Sequence, residues 1–124
     1  MNSMNIQEQA AILDEIINHY KKPEYKKIMD DYSYKKEASR AMCGDNITMY
    51  IKCDNNNIIT EASFDGVGCS ISQGCADMMC KRVVCLNKDD LKDLEFDLFD
   101  LEKSIISKSR YKCALLSLEA IKNI

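Results

Sequence analysis

Three cysteine motifs that lie far apart in the chain limit what this sequence can fold into, because a fold that uses them together must join distant segments. The motifs occupy residues 43–45, 66–72 and 110–113, and read Cys-Gly-Asp, Gly-Val-Gly-Cys-Ser-Ile-Ser and Arg-Tyr-Lys-Cys. Thiolates bind zinc and iron and carry sulfane sulfur, and one carboxylate added to three thiolates completes a tetrahedral set of four ligands. The motifs together therefore indicate one metal or sulfur site.

The seven cysteines of the chain indicate reduced thiols and no disulfide framework. The N-terminus lacks the basic start and apolar segment of a signal peptide, so we expect a cytoplasmic protein. An odd number of cysteines in that setting favours metal binding or thiol chemistry. Outside the three motifs, Cys53, Cys75, Cys80 and Cys85 are predicted to be structural thiols, buried as small apolar residues.

The composition argues against membrane and nucleic-acid partners. No apolar run approaches the roughly 20 residues that a membrane-spanning helix needs. The net charge is −3, and no stripe of Lys and Arg interleaved with aromatic residues occurs. A chain of 124 residues with 46% hydrophobic residues is typical of one compact domain, and we predict a single domain over residues 1–124.

The first half of the chain predicts one helix followed by strands. An amphipathic helix that Pro23 ends from outside is indicated by the spacing of Ile6, Ala10, Leu13, Ile16, Ile17 and Tyr20. Residues 30–40 suit a short edge strand, and residues 47–53 alternate cleanly between apolar and polar. A turn is predicted at residues 54–57, and the strand after it places on one face Ile58, Thr60, Ala62 and Phe64.

The second half predicts helices. Residues 69–86 suit a helix that begins at Cys69 and whose inner side carries Ile71, Cys75, Met78, Met79, Val83 and Leu86. A helix over residues 89–102 is indicated by the spacing of Leu91, Leu94, Leu98 and Leu101. A last helix after Cys113 is indicated by the spacing of Leu115, Leu118 and Ile121. This order predicts an α+β fold with a small antiparallel three-stranded sheet and helices packed on one face.

Each motif has a physical reason for its spacing. Cys43 and Asp45 can face the same way across the glycine between them and so share one metal. Cys69 at a helix N-terminus is expected to be reactive, because the amide groups there favour the thiolate. Cys113 is expected in the first turn of the last helix, where Arg110 would stabilise a thiolate or a persulfide anion. Cys113 is therefore the candidate sulfur acceptor.

In this order and spacing the motifs resemble those of the IscU, SufU and NifU N-terminal family of iron-sulfur cluster assembly scaffold proteins, over essentially the whole chain. Residues 12–23 are also similar to that family's N-terminal helix, and the family's fold is an α+β sandwich. The resemblance implies that a zinc ion or a transient [2Fe-2S] cluster is surrounded by Cys43, Asp45, Cys69 and Cys113, with Cys113 as the persulfide carrier. It also implies two kinds of partner: a cysteine desulfurase of the SufS, IscS or NifS type, and recipient apo iron-sulfur proteins.

Within this family the chain resembles SufU most, through Lys112 and the pairing of Arg110 with Cys113, but it lacks the SufU insertion. IscU proteins usually have a histidine before the last cysteine and a Leu-Pro-Pro-Val-Lys motif upstream, whereas here Lys112 precedes Cys113 and residues 100–110 contain no proline. SufU proteins carry an insertion between the second and third motifs, whereas here only 43 residues, 70–112, separate them. The family also often has Asn-Pro-x before its first cysteine, where this chain has Arg-Ala-Met at residues 40–42.

The sequence leaves three functions open. The first is a scaffold that accepts sulfur and assembles a transient [2Fe-2S] cluster on three thiolates, with Asp45 as a weak fourth ligand. The second is a SufU-type zinc-dependent sulfurtransferase that carries persulfide on Cys113. The third is a closed structural zinc site in an interaction protein. The chain has no phosphate-binding glycine loop and no redox Cys-x-x-Cys pair, which counts against an ordinary enzyme.

Two further expectations concern the histidine and the oligomeric state. The only histidine, His19, lies on the first predicted helix, far in sequence from the motifs. We expect it to have a surface or capping role and not to bind metal. The family resemblance implies a monomer or a weak dimer bridged through the cluster.

Overall fold

A computed structural model describes residues 6–94 and 108–124. Its elements are α1 (Ile6–Lys21), β1 (Tyr34–Arg40), β2 (Asp45–Cys53), β3 (Ile59–Val67), α2 (Ser70–Val83), a 3-10 helix (Lys88–Asp93), α3 (Lys108–Ala114) and α4 (Leu116–Lys122). The strands form one antiparallel sheet in the order β1-β2-β3. The predicted α+β class and three-stranded sheet are confirmed.

Helices cover the sheet in two layers. α2 packs on β3 and β2, α4 packs on β1 and β2, and α1 packs on α2. The core between the sheet and the helices includes Ile47, Met49 and Ile51 of β2, Phe64 of β3, Ile71 and Met79 of α2, and Leu116 and Ile121 of α4. Each such side chain stabilises the fold by about 1.5–3 kcal/mol when it is fully buried. None of the helices in the described part of the chain is long and apolar enough to cross a membrane.

The turn between β2 and β3 forms as predicted. Asp54 Oδ1 accepts hydrogen bonds from the amides of Asn56 at 2.8 Å and Ile58 at 3.0 Å. Asn57 then adopts a φ of 62°, a left-handed conformation that asparagine tolerates better than most residues. The short polar side chains of this segment therefore satisfy the backbone of the hairpin.

The start of β3 differs from the predicted alternation. The register shifts between Lys52 and Cys53, so that Cys53 pairs with Ile59. A bulge of this kind adds one residue to a strand and turns its side chains to the opposite faces. As a result Ile59 is buried and Thr60 is exposed. The prediction that Thr60 shares a face with the buried Ala62 is wrong for this reason.

The buried stripe of α1 is narrower than predicted. Ile16 is fully buried, but Ala10 and Tyr20 are exposed and the polar Gln9 is buried instead. α1 packs mainly on one helix, α2, so fewer of its positions are covered. The contact with α2 is close at Gly74, where an added Cβ would lie 2.1 Å from the carbonyl oxygen of Ile16.

α2 is buried on all sides over residues 71–80, because it lies between α1 and the sheet. It ends at Val83, so the predicted extension to residue 86 is wrong. Cys75 and Cys80 are fully buried, as predicted, and burial raises the pKa of both thiols well above its usual range. Cys85, which follows the helix with a φ of 79°, is exposed, so its predicted burial is wrong.

The C-terminal region forms two short helices with a break at Leu115. The break rotates the buried face. The buried apolar residues after Cys113 are Ala114, Leu116, Ala120 and Ile121, while Leu115 and Leu118 are only partly buried. Before this region the 3-10 helix buries Leu91. The predicted inward positions Leu98 and Leu101 lie outside the described residues.

His19 does not have the expected surface or capping role. Its Nδ1 lies 2.6 Å from Oδ2 of Asp77, whose side chain is completely buried in α2. Asp77 Oδ1 also accepts hydrogen bonds from the amides of Glu24 at 3.0 Å and Tyr25 at 2.8 Å. The pair therefore ties α2 to the end of α1 and to the segment that follows it.

Candidate metal and sulfur site

The turn between β1 and β2 presents Cys43 to solvent. The amide of Cys43 donates a hydrogen bond to the carbonyl oxygen of Arg40 at 3.2 Å, and Gly44 has a φ of 68°. That left-handed conformation costs other residues about 1–2 kcal/mol. The turn leaves Cys43 exposed and starts β2 at Asp45, which is only 2% exposed.

The second motif holds the carboxylate of Asp45 in place. Cys69 is the N-cap residue of α2, and its amide donates a hydrogen bond to Asp45 Oδ1 at 2.8 Å. The sulfur of Cys69 lies 3.6 Å from Asp45 Oδ2. Gly68 allows this approach, since a Cβ at that position would lie 2.1 Å from Asp45 Oδ1. The glycine before Cys69 is therefore required by the carboxylate.

The third motif brings Cys113 to the same place. Cys113 lies near the C-terminal end of α3 and is 1% exposed, so the prediction that it occupies the first turn of the last helix is wrong. The sulfurs of Cys43 and Cys113 and a carboxylate oxygen of Asp45 all lie within 4.8 Å of one another. Three of the four predicted site residues are thus together, and Cys69 contacts the group through Asp45.

The donor set fits a tetrahedral metal ion. Zinc–sulfur and zinc–oxygen bonds of about 2.3 and 2.0 Å place neighbouring ligand atoms roughly 3.5–3.8 Å apart. The spread of 4.8 Å or less among Cys43, Asp45 and Cys113 is close to that spacing. Thiolates with one carboxylate suit zinc or an iron-sulfur cluster better than magnesium or calcium, which prefer oxygen ligands.

The two thiols of this group have opposite pKa shifts. The pKa of Cys43 is lowered by a hydrogen bond with Ser109, whose Oγ lies 3.3 Å from the sulfur, and further by hydrogen bonds with Cys113 and Arg40. The pKa of Cys113 is raised far above its usual range, first by burial and then by Asp45. At neutral pH the exposed thiol of Cys43 therefore ionises more readily than the buried thiol of Cys113.

Two contributors to the site were missed in the sequence. Ser109 hydrogen bonds to Cys43, and Arg40 lowers the pKa of that thiol, but neither residue was singled out in the motifs. The causes that raise the pKa of Cys113 include its burial, Asp45, Cys43 and Cys69, and the predicted role of the exposed Arg110 at this thiol stays a prediction. The position of Arg40 three residues before Cys43 was the available signal, because a tight turn brings such residues together.

Residues 11–124 match the family of NifU-like N terminal domains. The chain belongs to this family. The match covers all three cysteine motifs, so the site just described lies within the NifU-like domain. The resemblance to the IscU, SufU and NifU N-terminal family is confirmed.

Curated relatives of this NifU-like domain include two named assembly proteins. The chain is 34% identical to the zinc-dependent sulfurtransferase SufU of Bacillus subtilis over 124 aligned residues, covering 86% of this chain and 83% of the relative. It is 32% identical to the iron-sulfur cluster assembly scaffold protein IscU of Thermotoga maritima over 69 residues, covering 56% of this chain and 48% of the relative.

Solved structures confirm the fold of this NifU-like domain. A protein described as a cluster assembly scaffold for the SUF system of Fervidobacterium islandicum superposes with a TM-score of 0.72 at 23% identity, covering 91% of this chain and 96% of the other. A NifU-like N-terminal protein of Brucella abortus superposes with a TM-score of 0.70 at 18% identity, covering 90% and 93%.

Proposed function

We propose that this protein is an iron-sulfur cluster assembly protein of the SufU and IscU type. The observation that carries the proposal is the convergence of Cys43, Asp45 and Cys113, with Cys69 hydrogen bonded to the same carboxylate. Membership of the NifU-like family and similarity to a sulfurtransferase and a scaffold support the same assignment. The partners are then a cysteine desulfurase that supplies sulfur and apo iron-sulfur proteins that receive the product.

The resident metal in this proposal is zinc, held by Cys43, Asp45, Cys69 and Cys113. Zinc supplies a positive charge that keeps its thiol ligands deprotonated and ordered. A [2Fe-2S] cluster is the cargo, which the same three thiolates would hold. Asp45 would be its weakest ligand, because a carboxylate is a harder and more exchangeable partner for iron than a thiolate.

Exposure and charge favour Cys43 as the first sulfur acceptor. Cys43 is exposed and its pKa is lowered, whereas Cys113 is buried and its pKa is raised. In the transfer, the Cys43 thiolate attacks the terminal sulfur of a donor persulfide, R–S–SH. The new bond forms between Cys43 and that sulfur, the donor S–S bond breaks, and the donor leaves as a thiolate.

The assignment of the persulfide to Cys113, with Arg110 stabilising the thiolate, stays a prediction. The sulfurs of Cys43 and Cys113 lie within 4.8 Å, so sulfane sulfur on Cys43 could move to Cys113 by the same exchange. A sulfur held on Cys113 would be shielded from solvent, since that residue is 1% exposed. Mapping of the modified cysteine distinguishes the two orders.

The experiment incubates the full chain, purified without oxygen, with a cysteine desulfurase, cysteine and ferrous iron. Zinc, iron and acid-labile sulfide are measured, and persulfides are mapped by alkylation and mass spectrometry. The variants are Cys43→Ser and Cys113→Ser, and Cys85→Ser is the matched control because Cys85 is exposed but lies outside the site. We expect the control to behave as the unmodified protein.

The outcomes separate the three functions. Iron and sulfide in equal amounts, lost in both site variants, would support the scaffold. Zinc retained without sulfide, with persulfide on a site cysteine and faster desulfurase turnover, would support the sulfurtransferase, which is the second candidate because of the similarity to SufU. Tightly held zinc with unchanged desulfurase turnover and no persulfide would indicate a structural zinc site and contradict the proposal.

A further inference from the structure

Arg40 ends β1 directly beside the exposed thiol of the site. Its Cα pairs with that of Asp45 across the sheet, and its carbonyl oxygen accepts the hydrogen bond that closes the turn at Cys43. Its side chain is half-buried, and its guanidinium lies near enough to the thiol of Cys43 to lower the pKa of that thiol. The backbone turn and the side chain thus hold a cation and a thiol together.

The guanidinium retains donor capacity at this position. Its Nε is buried and has no hydrogen-bond partner among the residues that the structure describes. A guanidinium offers five N–H donors in a rigid planar fork, which suits two neighbouring acceptor atoms better than one. A single thiolate sulfur therefore leaves part of the fork available to a second anionic atom.

The charges around Cys43 make such a cation necessary for an incoming anion. Asp45 and the thiols of Cys69 and Cys113 surround the position, and ionised forms of these groups repel a negative ligand. Arg40 places a positive charge close to Cys43. A sulfur anion that reaches Cys43 would therefore be attracted by Arg40.

We propose that Arg40 and Cys43 form a subsite for a small sulfur anion, and that Arg40 is a positioning residue that receives the terminal sulfur of a persulfide. The proposal rests on the function proposed above. After transfer, the terminal sulfur lies one S–S bond, about 2.05 Å, beyond the sulfur of Cys43. The fork of Arg40 can then contact both sulfurs of the Cys43 persulfide, which it stabilises as an anion.

The test compares a negatively charged and a neutral reagent on the same thiol. Metal-free full-length protein is alkylated at one fixed pH with iodoacetate or iodoacetamide, and the rate at Cys43 is followed by mass spectrometry of its peptide. Both reagents need the same thiolate, so the ratio of the two rates is independent of the ionised fraction of Cys43. The ratio therefore reports the local charge that the reagent meets.

The variants are Arg40→Gln and Arg40→Lys, with Lys36→Gln as the matched control. Lys36 lies on the same strand, is exposed and gives the same change of charge. We expect Arg40→Gln to lower the iodoacetate-to-iodoacetamide ratio about fivefold, the effect of one charge at contact distance in water. Arg40→Lys should keep part of the iodoacetate-to-iodoacetamide ratio, and Lys36→Gln should keep all of it. Added salt should lower this ratio only in proteins that have a cation at residue 40.

An unchanged ratio in both Arg40 variants would overturn the inference. A second measurement, the fraction of Cys43 that keeps persulfide after the desulfurase and cysteine are removed, separates it from the proposed function. A lowered ratio without any persulfide on the unmodified protein would support the anion subsite and contradict sulfur acceptance. If the unmodified protein and the Arg40 variants retain persulfide equally and give equal rate ratios, sulfur acceptance by Cys43 is supported and the role of Arg40 is contradicted.

Discussion

At the scale of single residues, Asp45 differs from the thiols around it in how firmly it would hold iron. Replacing it by alanine should lengthen the lifetime of a bound cluster, because a carboxylate exchanges on iron more readily than a thiolate and opens the cluster to transfer. The measurement is the decay of the cluster absorbance after an iron chelator or an apo acceptor protein is added. We expect slower decay in Asp45→Ala than in the unmodified protein.

Asp45 also accepts a hydrogen bond from the amide of Cys69. Asp45→Ala alone therefore does not distinguish the loss of an iron ligand from the loss of this hydrogen bond. Asp45→Asn provides the control, because its side-chain oxygen can keep that hydrogen bond while the negative charge is lost. If the cluster decays equally fast in all three proteins, the role of Asp45 in cluster release is wrong.

Gly68 gives a second prediction at this scale, because a methyl group there would collide with the carboxylate. The added Cβ would lie 2.1 Å from Asp45 Oδ1 and 2.7 Å from its Cγ, at a φ of 145°. We expect Gly68→Ala to lower zinc affinity at least tenfold, measured by competition with a chromophoric chelator, and to destabilise the fold by about 1–3 kcal/mol.

The matched control for Gly68 is Gly44→Ala. Gly44 also has a positive φ, but an added Cβ would meet no atom within 4 Å. It should therefore cost only the backbone strain, about 1–2 kcal/mol, and leave zinc affinity nearly unchanged. Equal losses of zinc affinity in the two variants would show that the displacement of Asp45 is not the cause.

Some contacts of the site are local in sequence and could be predicted, whereas others depend on how distant elements pack. Cys43 and Asp45 are two residues apart, so their convergence is local and could be predicted. The burial of Cys113 depends on where α3 begins and on how it packs, which spacing alone does not specify. The contact of Ser109 with Cys43 joins residues 66 positions apart and could not be predicted without the fold.

At the scale of secondary-structure elements, Asp77 joins α2 to the end of α1. Its fully buried carboxylate pairs with His19 and accepts two backbone amide hydrogen bonds. Asp77→Ala leaves these donors without a partner, and breaking a buried pair by removing one member typically costs about 3–5 kcal/mol. We expect a loss of that size in the free energy of unfolding, measured with urea.

The control for Asp77 is another carboxylate in an ion pair, Asp31, which bonds to Lys52 on the surface. Exposed pairs contribute only about 0–1 kcal/mol, so Asp31→Ala should change stability little. Similar losses of unfolding free energy in Asp77→Ala and Asp31→Ala would contradict the role of Asp77 in joining α2 to α1.

The predicted elements were accurate where the pattern was local. The turn at residues 54–57 has short polar side chains that satisfy its own backbone, and it formed as predicted. The faces of α1, β3 and α4 could not be assigned correctly, because a bulge, a helix break and a helix-on-helix contact each change which side is covered. The burial of α2 on all sides likewise depends on having α1 on one side and the sheet on the other.

At the scale of the whole molecule, the candidate metal ligands come from separate parts of the fold. Cys43 lies after β1, Cys69 precedes α2, and Cys113 lies on α3. An unfolded chain does not hold these groups together, so a metal that binds them stabilises the folded state. Metal binding should therefore be detectable as a change in global stability, and not only at the site.

We expect zinc to raise the thermal unfolding temperature of the metal-free protein. Zinc at 100 times its dissociation constant contributes about 2.7 kcal/mol, which for a domain of this size corresponds to roughly 10 °C. Cys43→Ser and Cys113→Ser should lose most of the shift, whereas Cys85→Ser should keep it. Calorimetry or circular dichroism with and without excess zinc measures the effect.

The dependence of this shift on pH follows from the two site thiols. Burial and Asp45 raise the pKa of Cys113, so that thiol is protonated at neutral pH without metal and must release its proton to bind zinc. Hydrogen bonds lower the pKa of Cys43, so deprotonation of that thiol on zinc binding costs less free energy. Acid therefore competes with zinc chiefly at Cys113, and the stabilisation should be smaller at pH 6 than at pH 8. An equal shift at the two pH values, or a shift that survives in Cys113→Ser, would mean that zinc binds elsewhere.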